Sequence, residues 1–209
     1  MQLLASMTSP YARKLRVLLI ELGLAVDVVE TMPIDDDAAL VKANPLHKVP
    51  ALVLDDGRSL IDSPVIAAYL LAQAPAQAVM PASGTVAYWR TRGFEALTDG
   101  ILDAAIGLRI EASHDGAAGV SGTGAATQRN PLWPQRMRSA IDDTLAVLGD
   151  NHADIGHDSF GYADICAVVT LDYLSFRLPA TDWRAQRALA ALHDRHAGRP
   201  SLVATRPPA

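Results

Sequence analysis

Apolar positions along this chain keep a strand-like period only in the first third, and a helical period almost everywhere after it. Gln2–Ala5 is a short apolar run, followed by the polar Ser6-Met7-Thr8-Ser9 and then Pro10. That order predicts a strand, a loop and a helix with Ser9 as N-cap and Pro10 in the first turn. Leu15, Leu18, Leu19 and Leu22 recur at helical spacing, so the helix buries that face, and Gly23 supplies its stop. Residues 26–30 suit a second strand, parallel to the first because a helix joins them. A short helix is expected over Ala38–Ala43.

Residues 44–64, NPLHKVPALVLDDGRSLIDSP, read as a loop, a buried strand, a tight turn, a second strand and the mouth of a helix. Asn44-Pro45 breaks what precedes it, because a residue before proline is pushed out of the helical region. Pro50 opens the apolar run 51–54 and removes one strand donor. A cis Val49-Pro50 bond would turn the backbone so that the N–H and C=O of Val49 face outward, free to pair with an extended peptide. Asp55-Asp56-Gly57 is a hairpin signal between 51–54 and 59–61, which makes those strands antiparallel neighbours. Asp62-Ser63-Pro64 then starts a helix running to about 74, with Ser63 as N-cap and Pro64 at the first helical position. The free N–H groups there and the Ser63 hydroxyl suit a carboxylate.

From 85 onward no strand-like alternation persists. The pattern predicts a long helix over 85–113, carrying Trp89, Phe94, Leu97, Ile101, Leu102 and Leu108, and a second over 131–148, with Met137, Ile141, Leu145 and Leu148 on one face. Between them, 114–127 brings four glycines and reads as a mobile loop. Gly161-Tyr162-Ala163-Asp164 opens a third helix, apolar nearly all round over 165–178, as a buried central helix would be. Asp164 stands where the last member of a capping box belongs, but Gly161 lacks the hydroxyl that would complete the box. A final helix is expected over 184–197 and a tail over 200–209.

Composition narrows the function classes. With half of its 209 residues apolar, the chain can bury a sizeable core in one or two domains. A net charge of −5 and the lack of any Lys/Arg-rich run beyond Arg13-Lys14-…-Arg16 argue against a nucleic-acid surface. Met1 to Ser9 lacks the basic region and long apolar core of a secretory leader, and no apolar run approaches the roughly 20 residues of a membrane span. A soluble, cytoplasmic protein is the expectation, and the single Cys166 suits a reducing compartment. The histidine pairs His152/His157 and His193/His196 show no metal-ligand spacing and are expected at the surface, so no metal is expected.

Asn44-Pro45-…-Val49-Pro50-Ala51-Leu52, with Asp62-Ser63 after a hairpin, resembles the glutathione-binding half of the cytosolic glutathione S-transferase superfamily. Ser9-Pro10-Tyr11-Ala12-Arg13-Lys14 is similar to the segment carrying the catalytic hydroxyl in its serine- and cysteine-type members. The resemblance implies an α/β thioredoxin-like N-terminal domain over 1–76, a linker over 77–83 and an all-α C-terminal domain over 84–209, assembled as a homodimer. It implies glutathione as co-substrate and a small electrophile as the other substrate. Ser63 would bind the γ-glutamyl carboxylate and Asp62 its ammonium, with less reach than the family's more frequent glutamate. Val49 and Pro50 would pair the peptide backbone, and His47 and Lys48 would face the glycine carboxylate.

Thiol-disulfide proteins of this fold carry Cys-Pro-Tyr-Cys where Ser9-Pro10-Tyr11-Ala12 stands, so no thiolate is available there for redox exchange and none is expected. What remains is a hydroxyl at a helix N-terminus, where negative charge is favoured. A free thiol of pKa ~8.5 is only a few per cent ionised at pH 7, and lowering it by about two units takes roughly 2.7 kcal/mol. A hydrogen bond to a charged acceptor supplies about 1.5–3 kcal/mol, so Ser9 and the helix terminus together nearly suffice. The plain alternative is that Ser9 only caps its helix; Thr8 and Ser6 are further hydroxyls in reach. Tyr11, Arg109 and Trp133 are candidate walls for the second substrate. Two other functions stay open: a non-catalytic binding or regulatory module on the same fold, and a glutathione-dependent isomerase or dehalogenase.

Overall fold

The computed structural model describes residues 1–35, 37–74, 79–116, 132–151 and 159–208. Expectations that fall on 75–78 of the linker region, on 117–127 of the glycine-rich loop, and on His152 and His157 lie outside the described residues. Strand β1 (Gln2–Ala5) leads into helix α1 (Pro10–Leu22), then β2 (Asp27–Glu30), α2 (Ala38–Ala43), β3 (Ala51–Val53), β4 (Ser59–Leu60) and α3 (Ser63–Gln73). The sheet order is β2-β1-β3-β4, with β1 parallel to β2 and antiparallel to β3, and β3 antiparallel to β4. This is the thioredoxin-like arrangement, and the described remainder is all helical: α4 (Val86–Gly116), α5 (Leu132–Asn151), α6 (Tyr162–Arg177), α7 (Arg187–His196) and α8 (Pro200–Ala204).

Strand periodicity divides the sheet's side chains between two layers. Leu3, Ala5 and Leu52 join the main core with Leu15 and Leu18 of α1 and Ile66 and Leu70 of α3, while Leu4 and Ala51 pack on Leu40 and Ala43 of α2. Helix α1 ends as expected: Gly23 takes φ 65°, and the Leu24 N–H reaches back to the Leu19 carbonyl at 3.0 Å. Phe94, Ile101, Leu102 and Leu108 of α4 are buried with Ile141, Leu145 and Leu148 of α5, whereas Trp89 and Leu97 face outward.

At the start of α6, the Gly161 N–H donates to Asp164 Oδ2 at 2.8 Å and the Tyr162 N–H to the Val79 carbonyl at 2.7 Å. A Cβ at position 161 would lie 3.2 Å from that carbonyl oxygen. A side chain at this position would need the Val79 carbonyl to give by a few tenths of an ångström.

Two expectations at the C-terminus need correction. The single helix expected over 184–197 is instead a 3-10 turn, Trp183–Ala185, followed by α7. Residues 200–204 are no tail: Pro200 starts α8, which buries Ser201 and Leu202 against α1. Arg199 donates two hydrogen bonds to Glu21 at 2.7 and 2.6 Å, Ser201 donates to the same carboxylate, and Arg13 donates to the Leu202 carbonyl at 3.1 Å. Arg13 is also paired with Asp172 of α6 at 2.8 Å, and that carboxylate meets His193 Nε2 at 2.8 Å. His193 is therefore half-buried and structural rather than a free surface residue.

These clamps predict an acid response. Burial alone would raise the Asp172 carboxyl, but hydrogen bonds from His193 and Arg13 hold it below its ordinary range. Burial opposes Glu21 in the same way, and Arg199 and Ser201 again prevail. Both groups are lowered on folding from about 3.9 and 4.3, so their stabilisation is complete above about pH 5 and is lost as pH falls below the unfolded values. The urea midpoint should stay level from about pH 7 to 5 and drop below about pH 4, more shallowly in the Asp172→Asn/Glu21→Gln double variant. Equal slopes in the two proteins would show that the clamps do not set the acid limit.

Candidate functional site

Register brings three loops to one end of the sheet. Leu4 pairs with Ala51, so the chain leaves β1 at the end where it enters β3, and Leu60 pairs with Leu52, so it leaves β4 at that end too. The loop holding Ser9, the loop holding Val49-Pro50 and the turn holding Asp62-Ser63 therefore share one edge.

Ser9 caps α1: its backbone is extended and its Oγ accepts the Ala12 N–H at 3.3 Å. Capping uses an oxygen lone pair and leaves the O–H proton, which makes no hydrogen bond among the described residues. The neighbouring hydroxyls are engaged elsewhere. Ser6 is buried with its Oγ 3.2 Å from Thr8 Oγ1 and 3.4 Å from the Met32 sulfur, so Ser9 is the available donor at this helix terminus.

Asn44 organises the second loop. Buried itself, it donates from Nδ2 to the Lys48 carbonyl at 2.7 Å and accepts the Leu46 N–H on Oδ1 at 3.0 Å. His47, at φ 55°, and Lys48 are exposed there, while the Val49 side chain packs on the α2 cluster and Pro50 is buried. The Val49–Pro50 peptide bond is cis, as is Ile61–Asp62. Neither backbone group of Val49 is hydrogen-bonded among the described residues.

The start of α3 differs by one residue from the expectation. Asp62, not Ser63, is the N-cap, with extended backbone and no side-chain capping bond, and Ser63 is the first helical residue with Pro64 second. Asp62 is exposed, and Ser63 is 2% exposed with no hydrogen bond on its hydroxyl among the described residues.

Tyr11, in the first turn of α1, donates to Asp103 of α4. Burial, and then that carboxylate, push the phenol well above its ordinary range, so Tyr11 stays protonated and acts only as a donor. Tyr173 of α6 lies within electrostatic reach of Tyr11, and Arg109 within electrostatic reach of Tyr173. Tyr11 and Arg109 thus belong to one polar row beside Ser9. Trp133 does not join it: the ring is half-exposed on the first turn of α5, without a ring contact or hydrogen bond among the described residues.

Below this row lies a group that inspection of motifs misses. Lys14 Nζ is 2.8 Å from Asp99 Oδ1 and 3.2 Å from Glu95 Oε1, and Tyr162 donates to the same Glu95 oxygen at 2.6 Å. Burial opposes the Lys14 charge, yet the adjoining carboxylates hold its pKa above the ordinary value. Cys166 beside them is pushed up to about 12, chiefly by burial, so it is an inert thiol. A signal existed in the sequence: Glu95, Asp99 and Asp103 recur every four residues, a like-charge stripe that needs cations or donors opposite it. Lys14 and Tyr11, three residues apart on α1, supply them.

Residues 3–78 match the family described as "Glutathione S-transferase, N-terminal domain". Over 212 residues the chain is 34% identical to the Escherichia coli K12 protein named "Uncharacterized GST-like protein YibF", covering all of this chain and 99% of that one. Among solved structures, a glutathione S-transferase from Methylobacterium radiotolerans in complex with glutathione sulfonate superposes with a TM-score of 0.86 at 33% identity, covering 100% of this chain and 95% of that one. A glutathione transferase family member from Pseudomonas fluorescens with bound glutathione gives 0.85 at 37% identity, covering 100% and 99%.

Proposed function

This chain belongs to the glutathione S-transferase superfamily, and on that premise we propose that it binds glutathione at the shared sheet edge and transfers it to an electrophile. The observation that carries this reading is the convergence of the free Ser9 O–H with the unpaired backbone of Val49 and the open start of α3 at Asp62-Ser63. Val49 pairs the peptide backbone as an added strand would, with Pro50 fixing the turn. Ser63 and the first N–H groups of α3 hold the γ-glutamyl carboxylate, Asp62 its ammonium, and His47 and Lys48 the glycine carboxylate.

Ser9 donates to the glutathione sulfur as the thiol proton leaves to solvent. The thiolate then attacks an electrophilic carbon: an S–C bond forms, and a halide or similar group departs with the electrons of the bond it breaks. Tyr11 and Arg109 line the second-substrate side, and Trp133 is retained there as a more distant wall. We propose also the division at 1–76, 77–83 and 84–209, and a homodimer, for which Val65, Val86 and Trp89 offer exposed apolar surface. Among the described residues no helix is long and apolar enough to cross a membrane, which accords with a cytoplasmic site of action.

Calorimetric titration with reduced glutathione, in two buffers of different ionisation enthalpy near pH 7, tests the reading. Saturable binding with proton release is expected. Binding without proton release would remove the thiolate step and favour a binding module, and no binding at millimolar ligand would overturn the reading.

A further inference from the structure

The basic run Arg13-Lys14-…-Arg16 leaves one cation unanswered. Arg13 is paired with Asp172, and Lys14 with Asp99 and Glu95. Arg16 has no ion pair among the described residues, and its Nη1 is buried without a hydrogen-bond partner. Burial and the neighbouring Arg13 both disfavour its charge, and Glu30 of β2 opposes them without forming an ion pair.

That side chain lines a groove of about 390 Å³, within the ~300–1,000 Å³ range of small-molecule sites. None of the residues proposed to hold glutathione borders it. Its shape follows from the chain. Arg16, Leu19, Ile20 and Gly23 stand at i, i+3, i+4 and i+7, one face of α1 and its cap. Gly23 adds no side chain to that face, and a Cβ there would meet no atom within 4 Å. β2 is an edge strand, and Val28, paired with Leu3, faces the α1 side of the sheet at that uncovered edge. Ala204 and Thr205, at the end of α8, form the opposite wall.

The lining selects a ligand with one charged end and an apolar body. Besides Arg16 it offers one polar side chain, Thr205, whose hydroxyl already donates to the Ser201 carbonyl at 2.9 Å and accepts from Arg13 Nε at 3.5 Å. The other side chains of the groove are aliphatic or, at Met7, a thioether. A peptide would leave its N–H and C=O groups unmatched against such walls. A guanidinium fork, by contrast, fits a carboxylate in shape as well as charge.

We propose that this groove binds a small aliphatic carboxylate, a fatty acid of medium chain length, with its carboxylate on Arg16 and its chain along Leu19, Ile20, Leu24 and Val28. The site stands apart from the conjugation chemistry and does not depend on it.

Sodium octanoate and 1-octanol share a chain and differ in the head group, so calorimetric titration of the full chain with each tests the site. Wild type should bind octanoate about 10-fold more tightly than octanol, as one charge-assisted contact allows. In Arg16→Gln that advantage should vanish, with octanol binding unchanged. Ile20→Glu, at a half-exposed position, sets a carboxylate one turn after Arg16, where it answers the guanidinium from within the chain. Octanoate should then bind about 10-fold more weakly, with the urea midpoint no lower than that of wild type. Wild type that binds neither ligand at millimolar concentration, or both equally, would overturn the inference, as would an octanoate advantage that survives in Arg16→Gln. Should Arg16→Gln fail to fold, an octanoate advantage that survives in Ile20→Glu overturns it instead.

Discussion

Ser9→Ala should lower kcat/KM for glutathione conjugation about 10- to 150-fold, the equivalent of the roughly 1.5–3 kcal/mol that a hydrogen bond to a charged acceptor contributes. The hydroxyl has two separable jobs. Its oxygen accepts the Ala12 N–H and caps α1, and its proton is free for the sulfur. Removing the whole group also costs about 1 kcal/mol of helix stability, so the alanine variant alone confuses capping with chemistry. Ser9→Gly separates them, because a glycine cap forfeits only a few tenths of a kcal/mol while the O–H is gone. Both variants should lose activity alike. In both, the apparent thiol pKa in the kcat/KM profile should move back toward about 8.5, with rates recovering as pH rises through that value. A glycine variant as active as wild type, with an unmoved profile, would leave Ser9 as a cap and nothing more.

Where chain punctuation is local, the sequence already displays its structure. Pro10, Gly23, Pro50 and the Asp55-Asp56-Gly57 turn each act on their own neighbours, and the elements between them stand within a residue or two of where their spacing puts them. The β3–β4 hairpin was readable for the same reason, since strand pairing follows from loop length, whereas the antiparallel pairing of β1 with β3 that brings the three loops to one edge is long-range. The helix start at Asp62 slipped by one because two adjacent residues both qualify as caps, and helix ends fray by that much in any case. Long-range electrostatics were not readable. Arg13 and Lys14 look like a small basic patch until α4, α6 and α8 supply their acceptors from about 80 to 190 positions away. Residues 200–204 look like a tail because five residues have no helical periodicity to show; their fold depends on Glu21 and Arg13 of α1.

Lys14→Met should be the most damaging single change to stability, at about 3–5 kcal/mol, the range found when one partner of a buried ion pair is removed. Lys14 is 1% exposed and Glu95 2% exposed, and Asp99 is the most open of the three at 17%. Methionine fills the aliphatic volume, so the loss is electrostatic rather than a cavity. Two carboxylates remain in the α1/α4/α6 seam, where, among the described residues, Arg92, 2.6 Å from Glu95, and the Tyr162 hydroxyl are left to answer them. Burial already raises the Asp99 carboxyl, and Lys14 works against that rise. Without the lysine the Asp99 carboxyl rises further above its unfolded value, so the folded variant takes up a proton as pH falls, and its deficit relative to wild type shrinks between about pH 7 and 4.5. Urea midpoints at those two pH values measure this directly, with an unchanged m-value confirming that the same surface unfolds. The triple variant Lys14→Met/Glu95→Gln/Asp99→Asn should recover much of the loss, because the uncompensated charges are gone. A deficit below about 1 kcal/mol that ignores pH would mean that water reaches the seam and that α1 is held to the helical half by its apolar face alone.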